Sequence, residues 1–77
     1  MKNMITLNQC KENTRGIIVE ISSTDRRILG KMMSLGIIPG TTFLLLRRSS
    51  GVIVQIGYTK VALDTELAML IRIKQTL

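Results

Sequence analysis

The sequence predicts a mainly β fold: a small barrel of five or six short strands with one inserted α-helix at about residues 24–35. Three observations predict it. Apolar and β-branched residues come in short runs, each closed within a few positions by Gly, Pro, Ser or Asn. One stretch alone recurs at clear helical spacing, through Ile28, Leu29, Met32, Met33 and Leu35. The 77 residues amount to a single domain, residues 1–77, without repeats, low-complexity tracts or a linker.

Each element follows from local chemistry. Met4–Leu7 alternates apolar and polar residues and reads as an edge strand. Lys11–Arg15 is a polar turn, and Gly16–Ile21 is a strand rich in β-branched Ile17, Ile18, Val19 and Ile21. Ser22-Ser23-Thr24-Asp25 offers N-caps for the helix, and Asp25 also suits the positive end of its dipole. Gly30 weakens that helix by about 1 kcal/mol relative to Ala, which predicts a neighbouring backbone close to it. Gly36 ends the helix in the left-handed conformation. Pro39-Gly40 matches the centre of a type II turn, since Pro fixes φ near −65° and Gly accepts positive φ. Thr41–Arg48 and Val52–Ile56 form a hairpin about Ser49-Ser50-Gly51, with Gly51 suited to a bulge. Gly57–Lys60 turns again before a brief strand, Val61–Leu63. Asp64 caps one helical turn through Ala68, and Met69–Lys74 closes the chain as a strand with Met69, Ile71 and Ile73 on one face. Short strands at this spacing in a chain this small predict an SH3-like barrel, with the helix over one open end.

Composition narrows the function. Apolar residues make up 45% of the chain, which excludes an intrinsically disordered polymer. The longest unbroken apolar runs are Phe43–Leu46 and Ala68–Ile71, far short of the ~20 residues of a membrane span. Met1-Lys2-Asn3-Met4 leads into no apolar signal region, and Cys10 is the only cysteine, so a cytoplasmic, reducing location is expected. Eleven Lys and Arg against five Asp and Glu give +6, which suits nucleic acid, an anionic surface or an acidic protein. Phe43 and Tyr58 are the only aromatics, too few for a surface that stacks bases. Nucleic acid is therefore the less favoured partner.

Catalytic chemistry has little to work with. There is no His to serve as a general base. Asp25 and Asp64 sit where helix caps belong. Ferrous iron favours imidazole and carboxylate ligands, and no two carboxylates lie three or four apart on the main helix. No cofactor, metal site or small-molecule substrate is expected, and the chain is read as a non-enzyme. Gly36-Ile37-Ile38-Pro39-Gly40 lacks the Gly-Lys-Ser/Thr ending of a phosphate loop.

The apolar surplus is the informative feature. If Phe43 and Leu45 face the core, the pleat turns Leu44 and Leu46 outward. Met32, Met33 and Ile38 widen the helical stripe beyond what one contact needs, and Met suits adaptable surfaces. With Arg47 and Arg48 as a basic rim, these residues form a candidate partner-binding patch, while Gly36, Pro39 and Gly40 are assigned to turns.

The run Arg27 to Phe43, containing Ser34-Leu35-Gly36-Ile37-Ile38-Pro39-Gly40-Thr41-Thr42-Phe43, resembles the FeoA family of ferrous iron transport proteins. Gly16-Ile17-Ile18, Val54, Ile56, Val61-Ala62-Leu63, Leu67-Ala68, Ile71 and Ile73 follow in register, so the resemblance spans roughly Leu7 to Lys74. It implies an SH3-like barrel with an inserted helix. It also implies a cytosolic accessory protein that binds and modulates FeoB, the membrane iron permease with a GTPase domain, and is recruited by it to the inner face of the membrane. Self-association is an open alternative. The same fold occurs as the C-terminal domain of metal-dependent repressors. No DNA-binding segment precedes it here, which favours the transport accessory over a free-standing regulatory domain. This chain departs from many relatives in placing Asp64-Thr65-Glu66, rather than basic residues, after Ala62-Leu63.

Overall fold

A computed structural model describes residues 4–76. Residues 1–3 and 77, and with them most of the N-terminal stretch read for a signal region, lie outside the described residues. Six strands form one antiparallel sheet: β1 (Met4–Thr6), β2 (Arg15–Ile21), β3 (Thr42–Arg48), β4 (Gly51–Ile56), β5 (Thr59–Asp64) and β6 (Ile71–Gln75). Their spatial order is β1-β6-β2-β3-β4-β5. Helix α1 (Arg26–Ser34) joins β2 to β3, the single-turn α2 (Thr65–Ala68) joins β5 to β6, and a 3₁₀ turn (Leu7–Gln9) follows β1. The fold is mainly β and SH3-like, as the sequence predicts.

Strand alternation builds the core. Ile18, Phe43, Leu45, Val52, Val54, Val61, Leu63, Ile71 and Ile73 point inward and are buried. Leu7, Cys10, Met32, Ile37 and Ala68 fill the ends from the connecting segments. Two register shifts, between Ile18 and Glu20 in β2 and between Leu45 and Arg47 in β3, bend the sheet around this core. Near the start of β2, where β2, β3 and β6 meet, Gly16 lies under the Phe43 ring. A Cβ on Gly16 would stand 2.8 Å from Phe43 Cζ and 2.8 Å from the Lys74 carbonyl oxygen, so only Gly lets β2, β3 and β6 meet there.

Local signals fix α1. The Asp25 carboxylate accepts the Arg27 N–H at 2.9 Å. At the other end the Ile37 N–H donates to the Met32 carbonyl (2.8 Å) and the Gly36 N–H to that of Met33 (3.0 Å), with Gly36 at φ 85°. This is a Schellman closure, and its apolar partners Ile37 and Met32 are both buried. The Thr41 N–H donates to Ile38 O at 3.0 Å across Pro39-Gly40, and Gly40 has φ 96°, which makes the type II turn. Gly40 and Thr41 also exchange backbone hydrogen bonds with Ile18, at 2.7 and 2.9 Å, fastening the connection to β2. Asp64 caps α2 by accepting the Leu67 N–H at 2.8 Å.

Four local expectations need correction. A Cβ on Gly30 would meet nothing within 4 Å, so no backbone approaches it. Gly51 is outside the left-handed region; the bulge in this hairpin falls at Leu46 in β3, and Gly51 is instead pressed against the Leu63 carbonyl. The turn at 57–60 shrinks to Gly57-Tyr58, because Ile56 already pairs with Thr59, and β5 is correspondingly longer than Val61–Leu63. Met69 is the C-cap of α2 and is exposed, because the chain turns there before β6 begins at Ile71.

Candidate docking surface

The residues predicted to form one patch separate into several places. Met32 is fully buried, because α1 needs one side chain directed into the barrel, and it leaves the candidate surface. Its neighbour Met33 points the other way and is 64% exposed. Leu44 and Leu46 alternate with buried Phe43 and Leu45 and are half-buried. Leu44 lies between Arg15 and Gln55 in the sheet. Arg47 pairs with Ile53, and Arg48, exposed like Arg47, also bonds within the chain: its guanidinium donates to Asn8 O (3.2 Å), and its N–H donates to Glu12 Oε2 (2.9 Å). Arg48 thereby ties the end of β3 to the segment after β1, which no local pattern in the sequence could show.

Met33 and Ile38 do come together. With Ile21, Leu29, Ile37 and Pro39 they line an almost wholly apolar groove of about 390 Å³ between α1, the end of β2 and the type II turn. Arg47 lines a different depression, beside Ile53 and Ala62. The groove's existence follows from the two turns above. The Schellman closure swings the chain back along α1, and the Pro39 turn carries Ile38 onto the rim. Ile21 and Pro39 were missed as groove residues because each reads as an ordinary strand or turn position. The signal that could find the groove is the doubled stripe of Leu29 and Met33 beside Ile28 and Met32.

Charge surrounds the groove unevenly. Arg26, Leu29, Gly30 and Met33 fall on one side of α1 at three- and four-residue spacing, so exposed Arg26 heads the apolar stripe. Glu20 closes the far wall and faces Arg72 at 3.5 Å; both side chains are about half exposed, which makes the pair weak.

Little reactive chemistry is arranged anywhere nearby. Among the described residues no three His, Cys, Asp or Glu side chains gather as a metal site. Asp25, Asp64 and Glu12 each accept a backbone N–H. Cys10 is buried, and that burial pushes its thiol above the ordinary value, which keeps it protonated and unreactive near neutrality. Among the described residues no helix is long and apolar enough to cross a membrane.

The family model for the FeoA domain matches residues 5–75. The chain belongs to the FeoA domain family. That family comprises small accessory domains of iron transport. The structure is similar to the crystal structure of an iron uptake regulatory protein (FeoA), with a TM-score of 0.87 and 23% identity over 95% of this chain and 99% of that one. An FeoA-like protein from Clostridium acetobutylicum superposes with a TM-score of 0.85 at 19% identity, over 100% of this chain and 92% of its own. A manganese-dependent transcriptional repressor gives a TM-score of 0.91 at 23% identity, covering 99% of this chain but 43% of the repressor. At these identities the superpositions show the shared fold. No curated protein matches the sequence.

Proposed function

We propose that this FeoA-domain protein is a non-enzymatic accessory of ferrous iron transport that docks on the cytosolic side of the FeoB permease and modulates it. The observation that carries the reading is the apolar groove with Met33 and Ile38 exposed on its rim; helical spacing puts exposed Arg26 on the same side of α1. Burying these side chains against a partner removes apolar surface from water, and Arg26 favours a partner with acidic groups beside its apolar contact. Leu44, Leu46 and Arg47 on the outside of the barrel form a second, separate face for the same partner. The absence of His from the sequence and the engagement of Asp25, Asp64 and Glu12 with backbone N–H groups leave any GTP chemistry to the partner.

Co-purification with FeoB from membranes tests this. Met33→Glu with Ile38→Glu changes two exposed positions and should leave the fold intact. It should abolish retention of FeoB and lower iron uptake, because the new carboxylates would be buried unpaired. The same measurement on Leu44→Glu with Leu46→Glu separates the outer face of β3 from the groove. Retention unchanged in both variants would overturn the reading. Capture of nucleic acid instead, with affinity falling steeply as salt rises, would favour a basic nucleic-acid-binding barrel.

A further inference from the structure

Strand β5 is the open edge of the sheet. It pairs with β4 along its whole length, from Thr59 opposite Ile56 to Asp64 opposite Gly51, and among the described residues no strand lies on its other side, where an open depression separates Thr59–Ala62 from Ser34, Leu35 and Gly36. The opposite edge, β1, has three described residues, Met4–Thr6. A six-residue unpaired edge is a template for another strand unless it is blunted. Val61 and Leu63 face inward and are buried, while Lys60, Ala62 and Asp64 are exposed.

The hairpin geometry sets which backbone groups are free. A two-residue turn makes Ile56 and Thr59 a hydrogen-bonded pair, and such pairs recur at every second residue. Thr59, Val61 and Leu63 therefore direct their N–H and C=O groups at β4. Lys60 and Ala62 direct theirs at the open edge.

We propose that β5 pairs antiparallel with β5 of a second copy of this chain, about a two-fold axis at Ala62. The segment Lys60-Val61-Ala62-Leu63-Asp64 is complementary to its own reverse. In this register Ala62 meets Ala62 of the second copy, Val61 meets Leu63, and Lys60 meets Asp64, each of the last two twice by symmetry. Inward residues face inward residues, and outward face outward, as pairing requires. The free backbone groups of Lys60 and Ala62 find partners. Asp64 uses Oδ1 to cap α2, which leaves Oδ2 for the opposing ammonium. Registers displaced by two residues keep the faces aligned but set Lys60 opposite Ala62 or strand it beyond the pairing, losing both charge pairs. The Ala62 side chains at the axis add little bulk between the strands. The contact is isologous and consumes both β5 edges, so assembly stops at two copies and leaves only the short β1 edges outside.

Sedimentation velocity on the full chain over a wide concentration range tests the pairing. The expected result is a concentration-dependent species of twice the monomer mass. Lys60→Glu, at an exposed position, sets carboxylates against Asp64 and should weaken the dimer at least tenfold while leaving the circular dichroism spectrum unchanged. Ala62→Cys supplies an independent readout. Residues opposite each other in a hydrogen-bonded pair have Cα atoms about 5.5 Å apart, within disulfide range. This variant should oxidise to a covalent dimer many times faster than Gln9→Cys, which places an exposed thiol near the other edge; buried Cys10 does not compete. A wild type that stays monomeric at millimolar concentration overturns the proposal. So does a dimer unaffected by Lys60→Glu, or an Ala62→Cys variant that oxidises no faster than the Gln9 control. A β5 edge protected from amide exchange only in the presence of a different protein would also overturn it, by assigning the edge to that partner.

Discussion

The seam where β2, β3 and β6 meet and the outer side of α1 are built to opposite standards. Where Gly16, Phe43 and Lys74 meet there is no spare volume, and one missing Cβ allows three strands to converge. On α1, a single methionine, Met32, is fully buried, while Leu29 and Met33 line an open groove and Gly30 touches nothing within 4 Å of where its Cβ would be. The first region consists of residues that folding demands. The second contains apolar residues and a glycine that folding does not explain, and those are the residues open to selection for binding.

The comparison breaks if the crowded seam tolerates a side chain. Gly16→Val would push branched carbons into the Phe43 ring and the Lys74 carbonyl, and backbone cannot yield as a flexible side chain does. Overpacking of this kind costs ~1–3 kcal/mol or more, a large part of the ~5 kcal/mol expected for so small a domain. Thermal unfolding should show the variant unfolded or its midpoint lowered by roughly 4–24 °C or more, at a shift of about 4–8 °C per kcal/mol. A midpoint unchanged from wild type would mean that the seam is not close-packed.

Two adjacent methionines sharpen the contrast. Met32→Ala empties a fully buried site and should cost ~2–5 kcal/mol. Met33→Ala removes a mostly exposed side chain and should change stability by no more than about 0.5 kcal/mol. Chemical denaturation of the pair measures the difference directly. Equal losses would place both residues in the core and remove the groove's rim.

Those two residues also mark how far the sequence is legible. Features that depend on a few neighbouring residues read correctly: the Asp25 and Asp64 caps, the left-handed Gly36, the Pro39-Gly40 turn, and the alternation that buries Phe43 and Leu45 while turning Leu44 and Leu46 outward. Helical spacing likewise places Met32 and Met33 on a helix, but both belong to the apolar stripe, and which one enters the core depends on how α1 is rotated against the barrel. That rotation is set by the closure at Ile37 and the bonds from Gly40 and Thr41 to Ile18, across a wide gap in sequence. For the same reason the bonds made by exposed Arg48 are not legible. Its partners Asn8 and Glu12 lie about 40 residues away, and nothing local announces them. The bulge at Leu46 and the full length of β5 are properties of strand pairing, which the pattern within one strand underdetermines.

The smallest expected effect bears most directly on the α1 groove. Gly30 is the interior residue of α1 with the least helix propensity, and it carries that cost without any packing return, since its Cβ position is empty space. It is exposed and lies four residues after Arg26 and three before Met33, beside the groove. Gly30→Ala should therefore stabilise the fold by ~0.5–1 kcal/mol, through restriction of the unfolded chain and better helix propensity. Unchanged or lower stability would indicate a contact at Gly30 that the structure does not contain. The binding measurement is the sharper half of the test. If a partner lies along Arg26, Leu29 and Met33, the bare backbone at Gly30 allows it to approach closely, and a larger side chain would hold it away. Gly30→Leu should then leave the fold at least as stable as wild type while reducing retention of that partner. Stability and binding would move in opposite directions at one position. That outcome is expected only if the glycine is kept for the surface and not for the fold, whereas a Gly30→Leu variant that binds normally would place the contact away from this side of α1.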